Sequence, residues 1–127
     1  LRTGRKLAKQ PNSVVTVEVW AGWITAIDAD HGNVVWKRKL SAPVLAAVTP
    51  TAGGVVFAAD IVGNVYAFNA STGTTVWHTQ TVGAVGGGIV SYVTSSGAQR
   101  IAVAAGMVSP DWPTKKVNAE LVVYGIK

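Results

Sequence analysis

The sequence predicts an all-β fold of antiparallel, four-stranded β-propeller blades, and three observations predict it. The first is a repeat: Gly22, Ala26, Ala29, Gly32 and Trp36 return 41 residues later as Gly63, Ala67, Ala70, Gly73 and Trp77. A period of about 40–45 residues built from short strands is what one propeller blade produces. The second is the alternation of short β-prone runs with glycine-bearing turns, with no convincing helical periodicity anywhere. The third is composition: 49% of the 127 residues are hydrophobic and only 13% are charged, which suits sheets covered on both faces. Propellers close with roughly 4–8 blades, so the chain is expected to be a partial propeller of about two to three.

Residues 1–20 read as an N-terminal arm leading into a first strand at 13–19, where Val15, Val17 and Val19 alternate with polar residues. The partial propeller is expected over 21–127, with repeats at about 22–62 and 63–106 and a closing segment at 107–127. Strands at 22–28 and 64–69 alternate around small and aromatic residues. Those at 34–39 and 74–79 each carry a tryptophan. Further strands are predicted at 44–48, 55–59, 88–93, 101–105 and 120–124. The turns between them contain Gly32, Gly53-Gly54, Gly63, Gly73 or Gly97, each supplying a residue able to take positive φ. The second repeat reads as a complete blade of strands 55–59, 65–68, 75–79 and 89–93. Trp36 and Trp77 are expected to fill the gap between adjacent blades.

The side chains offer little chemistry. Net charge is +5, but the bases are dispersed, which excludes a nucleic-acid face of ordinary design. Lys37, Arg38 and Lys39 read as a solvated strand end, and the basic balance favours an acidic protein partner at low salt. No apolar run reaches the ~18 residues of a membrane span. Cysteine is absent. The chain begins without methionine or a leader pattern, as if cut from something longer. His31 and His78 lack partners at metal-ligand spacing and read as surface residues. Asp28, matched by Asn69 in the repeat, and Asp60 read as turn-capping side chains. Asp111 belongs to a rigid surface loop with Pro110, Trp112 and Pro113. The glycines 83, 86, 87 and 88 are not a phosphate loop, since neither Gly-Lys-Ser/Thr nor a helix follows. They mark backbone that closely approaches a neighbouring strand, the propeller axis or a flat ligand. No catalytic residue and no metal ligand emerges.

The stretches Ala26-Ile27-Asp28 to Trp36 and Ala67-Phe68-Asn69 to Trp77 resemble the tryptophan-docking repeat of pyrroloquinoline quinone (PQQ) dehydrogenases. The segment from Leu45 through Thr49-Pro50-Thr51-Ala52-Gly53-Gly54 to Phe57 is similar to the late blades of methanol- and ethanol-dehydrogenase-like quinoproteins. So are Gly86-Gly87-Gly88-Ile89-Val90-Ser91-Tyr92 and the run Gln99 to Gly106. One departure is His31, where the repeat usually has Thr before its glycine. The resemblance covers about 21–127 and identifies the chain with the C-terminal part of such an alcohol dehydrogenase. It implies a propeller of about eight blades that binds PQQ with calcium or a lanthanide in the periplasm and passes electrons to an acceptor such as a cytochrome. The family's catalytic base, metal ligands, stacking tryptophan and vicinal disulfide belong to earlier blades and have no match here. The positions that align with cofactor contacts are Leu45, Ala46, Gly106, Met107 and Trp112. The chain is therefore expected to contribute part of a cofactor wall and to be inactive alone, its partners being the rest of the propeller or further copies of itself. The alternative is a non-catalytic repeat scaffold or protein-binding module. Neither nucleic acid nor a membrane span is expected.

Overall fold

The computed structural model describes residues 20–125, and the strand expected at 13–19 lies outside them. The described residues form three antiparallel sheets that follow one another along the chain. The first is a hairpin of β1 (Gly22–Ile27) and β2 (Val34–Leu40). The second has the order β3 (Thr49–Pro50), β4 (Val55–Ala59), β5 (Asn64–Asn69) and β6 (Thr75–Gln80). The third is β7 (Ile89–Val93), β8 (Gln99–Ala105) and β9 (Glu120–Gly125). The up-and-down order within each sheet is that of propeller blades.

Two expectations are corrected. Residues 44–48 form no strand; only Thr49–Pro50 pairs, opposite Phe57 and Val56. Pro43 and Pro50 lack a donor for a ladder, and the Ala47 N–H instead reaches the Gly87 carbonyl across the next junction (3.2 Å). The second correction concerns Ile89–Val93, which does not complete the second blade but opens the third by pairing with β8. Thr49–Pro50 takes the fourth place instead. The glycine-rich residues 81–88 form a loop that carries the chain from one sheet to the next.

Side-chain alternation explains why the middle sheet reads as nearly continuous apolar sequence. Ala58 and Phe68 face the first sheet, where they meet Ile24 and Leu40 with Trp36 and Tyr66. Phe57, Ala59, Val65 and Ala67 face the third, where they meet Ile89, Ile101, Val103 and Ala105. A sheet buried on both sides cannot show a polar face.

The repeat tryptophans sit at the two junctions, as expected. Trp36 donates its indole N–H to the Ala70 carbonyl (2.7 Å) and lies against Gly73, where an added Cβ would come 2.5 Å from the ring. Arg38, read from sequence as part of a solvated strand end, is half-buried and donates to the Gly73 carbonyl. Trp36 also packs on Phe68 (centroids 6.3 Å apart), and Trp77 packs edge-on to Tyr124 of the third sheet (5.2 Å).

Each of the five predicted turns holds a glycine at positive φ, which in the 51–54 turn is Gly54 and not Gly53. The Gly32 and Gly73 turns are closed by the repeat-matched caps: Asp28 accepts from the Asp30 N–H (3.0 Å) and Asn69 from the Ser71 N–H (2.9 Å). The Asp30 N–H, followed by the His31 ring 2.7 Å away, holds the Asp28 carboxyl below its ordinary value. A carboxyl with a depressed folded pKa contributes stability above its unfolded value, 3.8, and loses it as pH falls through the folded pKa. Between about pH 5 and pH 2, urea midpoints of the native chain should therefore fall more steeply than those of Asp28→Asn. Parallel curves would show that the carboxylate adds nothing over the amide that Asn69 already uses.

Candidate functional site

Four loops meet at one end of the three sheets, and main-chain hydrogen bonds hold them together. Ile61 N–H bonds to the Pro43 carbonyl (3.1 Å), Val85 N–H to that of Asp60 (3.1 Å), and Met107 N–H to that of Ala84 (3.0 Å). Ala42, Ile61 and Ala84 are buried there, with Met107 and Trp112 packed against them. Met107 lies across Gly86 so closely that a Cβ would fall 1.9 Å from its Sδ. Gly83 is equally constrained, its Cβ position lying 2.4 Å from Val117. Gly87 and Gly88 have no such neighbour and leave their backbone open. The first half of the glycine run thus lies close to the residue 106–117 loop, against Met107, Gly106 and Val117.

Trp112 is held by a turn around Ser109, whose hydroxyl accepts from the Asp111 and Trp112 N–H groups (both 3.2 Å). Asp111 itself is exposed. The Trp112 ring meets Trp20 edge-on, with centroids 5.3 Å apart.

The positions taken from the cofactor wall divide into two groups. Gly106, Met107 and Trp112 belong to this cluster, with Gly106 buried at φ 94° and bonded to the Ala84 carbonyl (2.9 Å). Ala46 is turned into the core between the second and third sheets, and Leu45 is exposed beside it. Trp20 and Ile61, which sequence reasoning did not select, complete the cluster. The signal for them existed, because they are separated by the same 41 residues as the tryptophans.

Behind the cluster lies a fully buried carboxylate. Asp60 Oδ1 accepts from the Val62 and Asn64 N–H groups (3.1 and 2.9 Å). Its Oδ2 accepts from the Asn64 amide (2.7 Å) and the Tyr66 hydroxyl (3.2 Å). Burial, together with the Asp60 charge, pushes the Tyr66 hydroxyl above its ordinary pKa, against a lowering bond from Ser41. His78 stacks on Tyr66 (4.9 Å) and its Nε2 lies 3.1 Å from Asn64 Oδ1. The Asn64 amide nitrogen is committed to Asp60, so its Oδ1 faces the His78 ring as an acceptor. Asp60 is thus the turn cap expected of it, and His78 is exposed as expected.

A flat anionic quinone and its metal make different demands on these residues. Met107 and Trp112 are apolar and half-buried and the Gly87–Gly88 backbone is exposed, group types that can flank a flat ring. The donor set does not fit the metal: among the described residues no three His, Cys, Asp or Glu side chains come together. No catalytic step is assigned to this chain.

The sheet order, the repeat and the docked tryptophans define a run of β-propeller blades of the tryptophan-docking class. The chain belongs to the PQQ_2 family, described as outer membrane protein assembly factor BamB, whose model matches residues 21–121. It is 38% identical over 89 residues to the quinoprotein alcohol dehydrogenase PedH of Pseudomonas putida, covering 70% of this chain and 15% of PedH. It is 34% identical over 81 residues to BamB of Salmonella typhimurium, covering 57% of this chain and 21% of that protein. A europium-containing methanol dehydrogenase superposes with a TM-score of 0.64 at 26% identity, over 68% of this chain and 15% of its own. The chain thus spans only a small part of the length of the proteins it matches.

Proposed function

We propose that this chain supplies part of the cofactor-site wall of a periplasmic PQQ-dependent alcohol dehydrogenase and turns over no alcohol alone. The observation that carries this reading is Met107 laid across Gly86 beside Trp112, at the loop end of blades similar to those of PedH. In the complete protein PQQ would supply the redox chemistry with calcium or a lanthanide, and a cytochrome would accept the electrons. This chain's part is contact: Met107 and Trp112 from the side chains, and the 86–88 backbone. The base and metal ligands would come from the remaining blades, which are its principal partner.

The test is a titration of PQQ with calcium into the purified chain, followed by cofactor absorbance and tryptophan quenching, beside Trp112→Ala and Met107→Ala. Saturable quenching that weakens at least about tenfold in both variants, without dye reduction on adding ethanol, is expected. Turnover by the chain alone would overturn the assignment of chemistry to other blades. A second reading, a non-catalytic assembly module, is favoured by the likeness to BamB. Absence of any quenching by PQQ would select it.

A further inference from the structure

The two outermost sheet faces of the described structure are apolar and uncovered, and their charges decide what can cover them. On β1 and β2 the inward residues are Ile24, Trp36 and Leu40. The outward face carries Trp23 and Ile27, 53% and 59% exposed, with Val35. Lys37 and Lys39 stand on the same face: Lys39 is the register partner of Trp23, and Lys37 Nζ lies 4.3 Å from the Trp23 ring centroid. At the other end, Ile101 and Val103 of β8 point inward, so Val90, Tyr92, Leu121 and Val123 are left outward and exposed. Arg100 shares that face, its guanidinium lying over its register partner Gly125.

Exposed apolar sheet faces of this extent are covered in a working protein. On hydrophobicity alone the two ends would pair copy to copy, one of the two kinds of partner the sequence suggests. Charge opposes this. Among the described residues neither face carries a carboxylate: Asp28 and Asp30 lie in or beside the β1–β2 turn, and Asp60 is buried. Asp111 belongs to the 109–113 loop, and Glu120 pairs with Ala105 on the inward side of β9. Stacking copies would set Lys37 and Lys39 against Arg100, and like charges across a sheet contact are destabilising.

We infer that the outward β1–β2 face docks a sheet that presents carboxylates to Lys37 and Lys39, and that this partner has a sequence other than this chain's. The cation over Trp23 is an anchor of mixed character: the indole gives apolar contact and the ammonium selects the partner's sign. The inference does not rest on the dehydrogenase reading, because a scaffold blade would have the same face to cover.

Charge reversal tests it in the full chain by sedimentation. The native chain should remain unassociated. Reversing one face, by Lys37→Glu with Lys39→Glu or by Arg100→Glu with Ala104→Glu, makes the two ends complementary and should produce head-to-tail association. That association should weaken at least about tenfold between 50 mM and 500 mM salt. Reversing both faces together should abolish it, since the ends are then both acidic. Association of the native chain as tight as that of either reversed variant would make a second copy the occupant and overturn the inference. Failure of both single-face reversals to associate would also overturn it, and the two variants place their substitutions on different sheets, so one misfolding would leave the other informative.

Discussion

Asp60→Ala is expected to cost about 4 kcal/mol of stability, the effect of stranding several buried donors at once. The carboxylate is fully buried and accepts from two main-chain N–H groups, the Asn64 amide and the Tyr66 hydroxyl. Alanine removes all four acceptor contacts and admits no obvious replacement. Asp60→Asn keeps an oxygen for the Val62 and Asn64 N–H groups but turns an amide nitrogen toward the Asn64 amide, so about half that loss is expected. Tyr66→Phe removes one long bond and should cost only about 1 kcal/mol. Equilibrium urea unfolding of the three variants gives the order directly. An alanine variant within about 1 kcal/mol of native would mean that water takes over the acceptor role. The consequence reaches the loop cluster: the Asp60 carbonyl holds Val85, and Ile61 is bonded to Pro43. Loosening this turn would therefore displace the floor under Met107 and Trp112.

What was legible in the sequence was whatever the repeat and local backbone chemistry control. Two tryptophans at one spacing gave the docking positions, and glycines between β-prone runs gave turns with positive φ. Asp28 opposite Asn69 gave a cap because an Asx turn needs only residues two or three apart. The misses share a different origin. Whether 44–48 pairs as a strand depends on where Ala47 finds its acceptor, and that acceptor is Gly87, forty residues away. Assigning Ile89–Val93 to a blade likewise required knowing that β8 is its partner. Asp60 is legible as a turn residue, but its complete burial follows from the sheets closing over it. Of the candidate wall, Gly106, Met107 and Trp112 come together, whereas Ala46 joins the core between sheets. Sequence likeness aligns positions along a strand but does not say which side of a junction a loop residue turns to.

Gly73→Ala is expected to cost about 3 kcal/mol, although it adds only one methyl group to a turn. Part of the loss, about 1 kcal/mol, is the strain of an alanine at φ 67°. The remainder comes from Trp36, whose ring lies 2.5 Å from the added Cβ and must leave its place. Moving it breaks the bond to the Ala70 carbonyl and uncovers Phe68. Gly32 separates the two contributions within the same molecule. It occupies the matching turn at φ 73°, yet nothing lies within 4 Å of its Cβ position, so Gly32→Ala should show only the strain of about 1 kcal/mol. Trp36→Ala should cost about 3 kcal/mol by itself, at the low end for a tryptophan because the side chain is half-buried. Once the indole is gone the clash is gone, so adding Gly73→Ala to Trp36→Ala should cost only the backbone strain. A double-mutant cycle should then show a coupling of about 2 kcal/mol between positions 37 residues apart. Additive losses would mean that the turn and the indole act separately, and that the blades are joined by the apolar faces of their sheets without the docking contact.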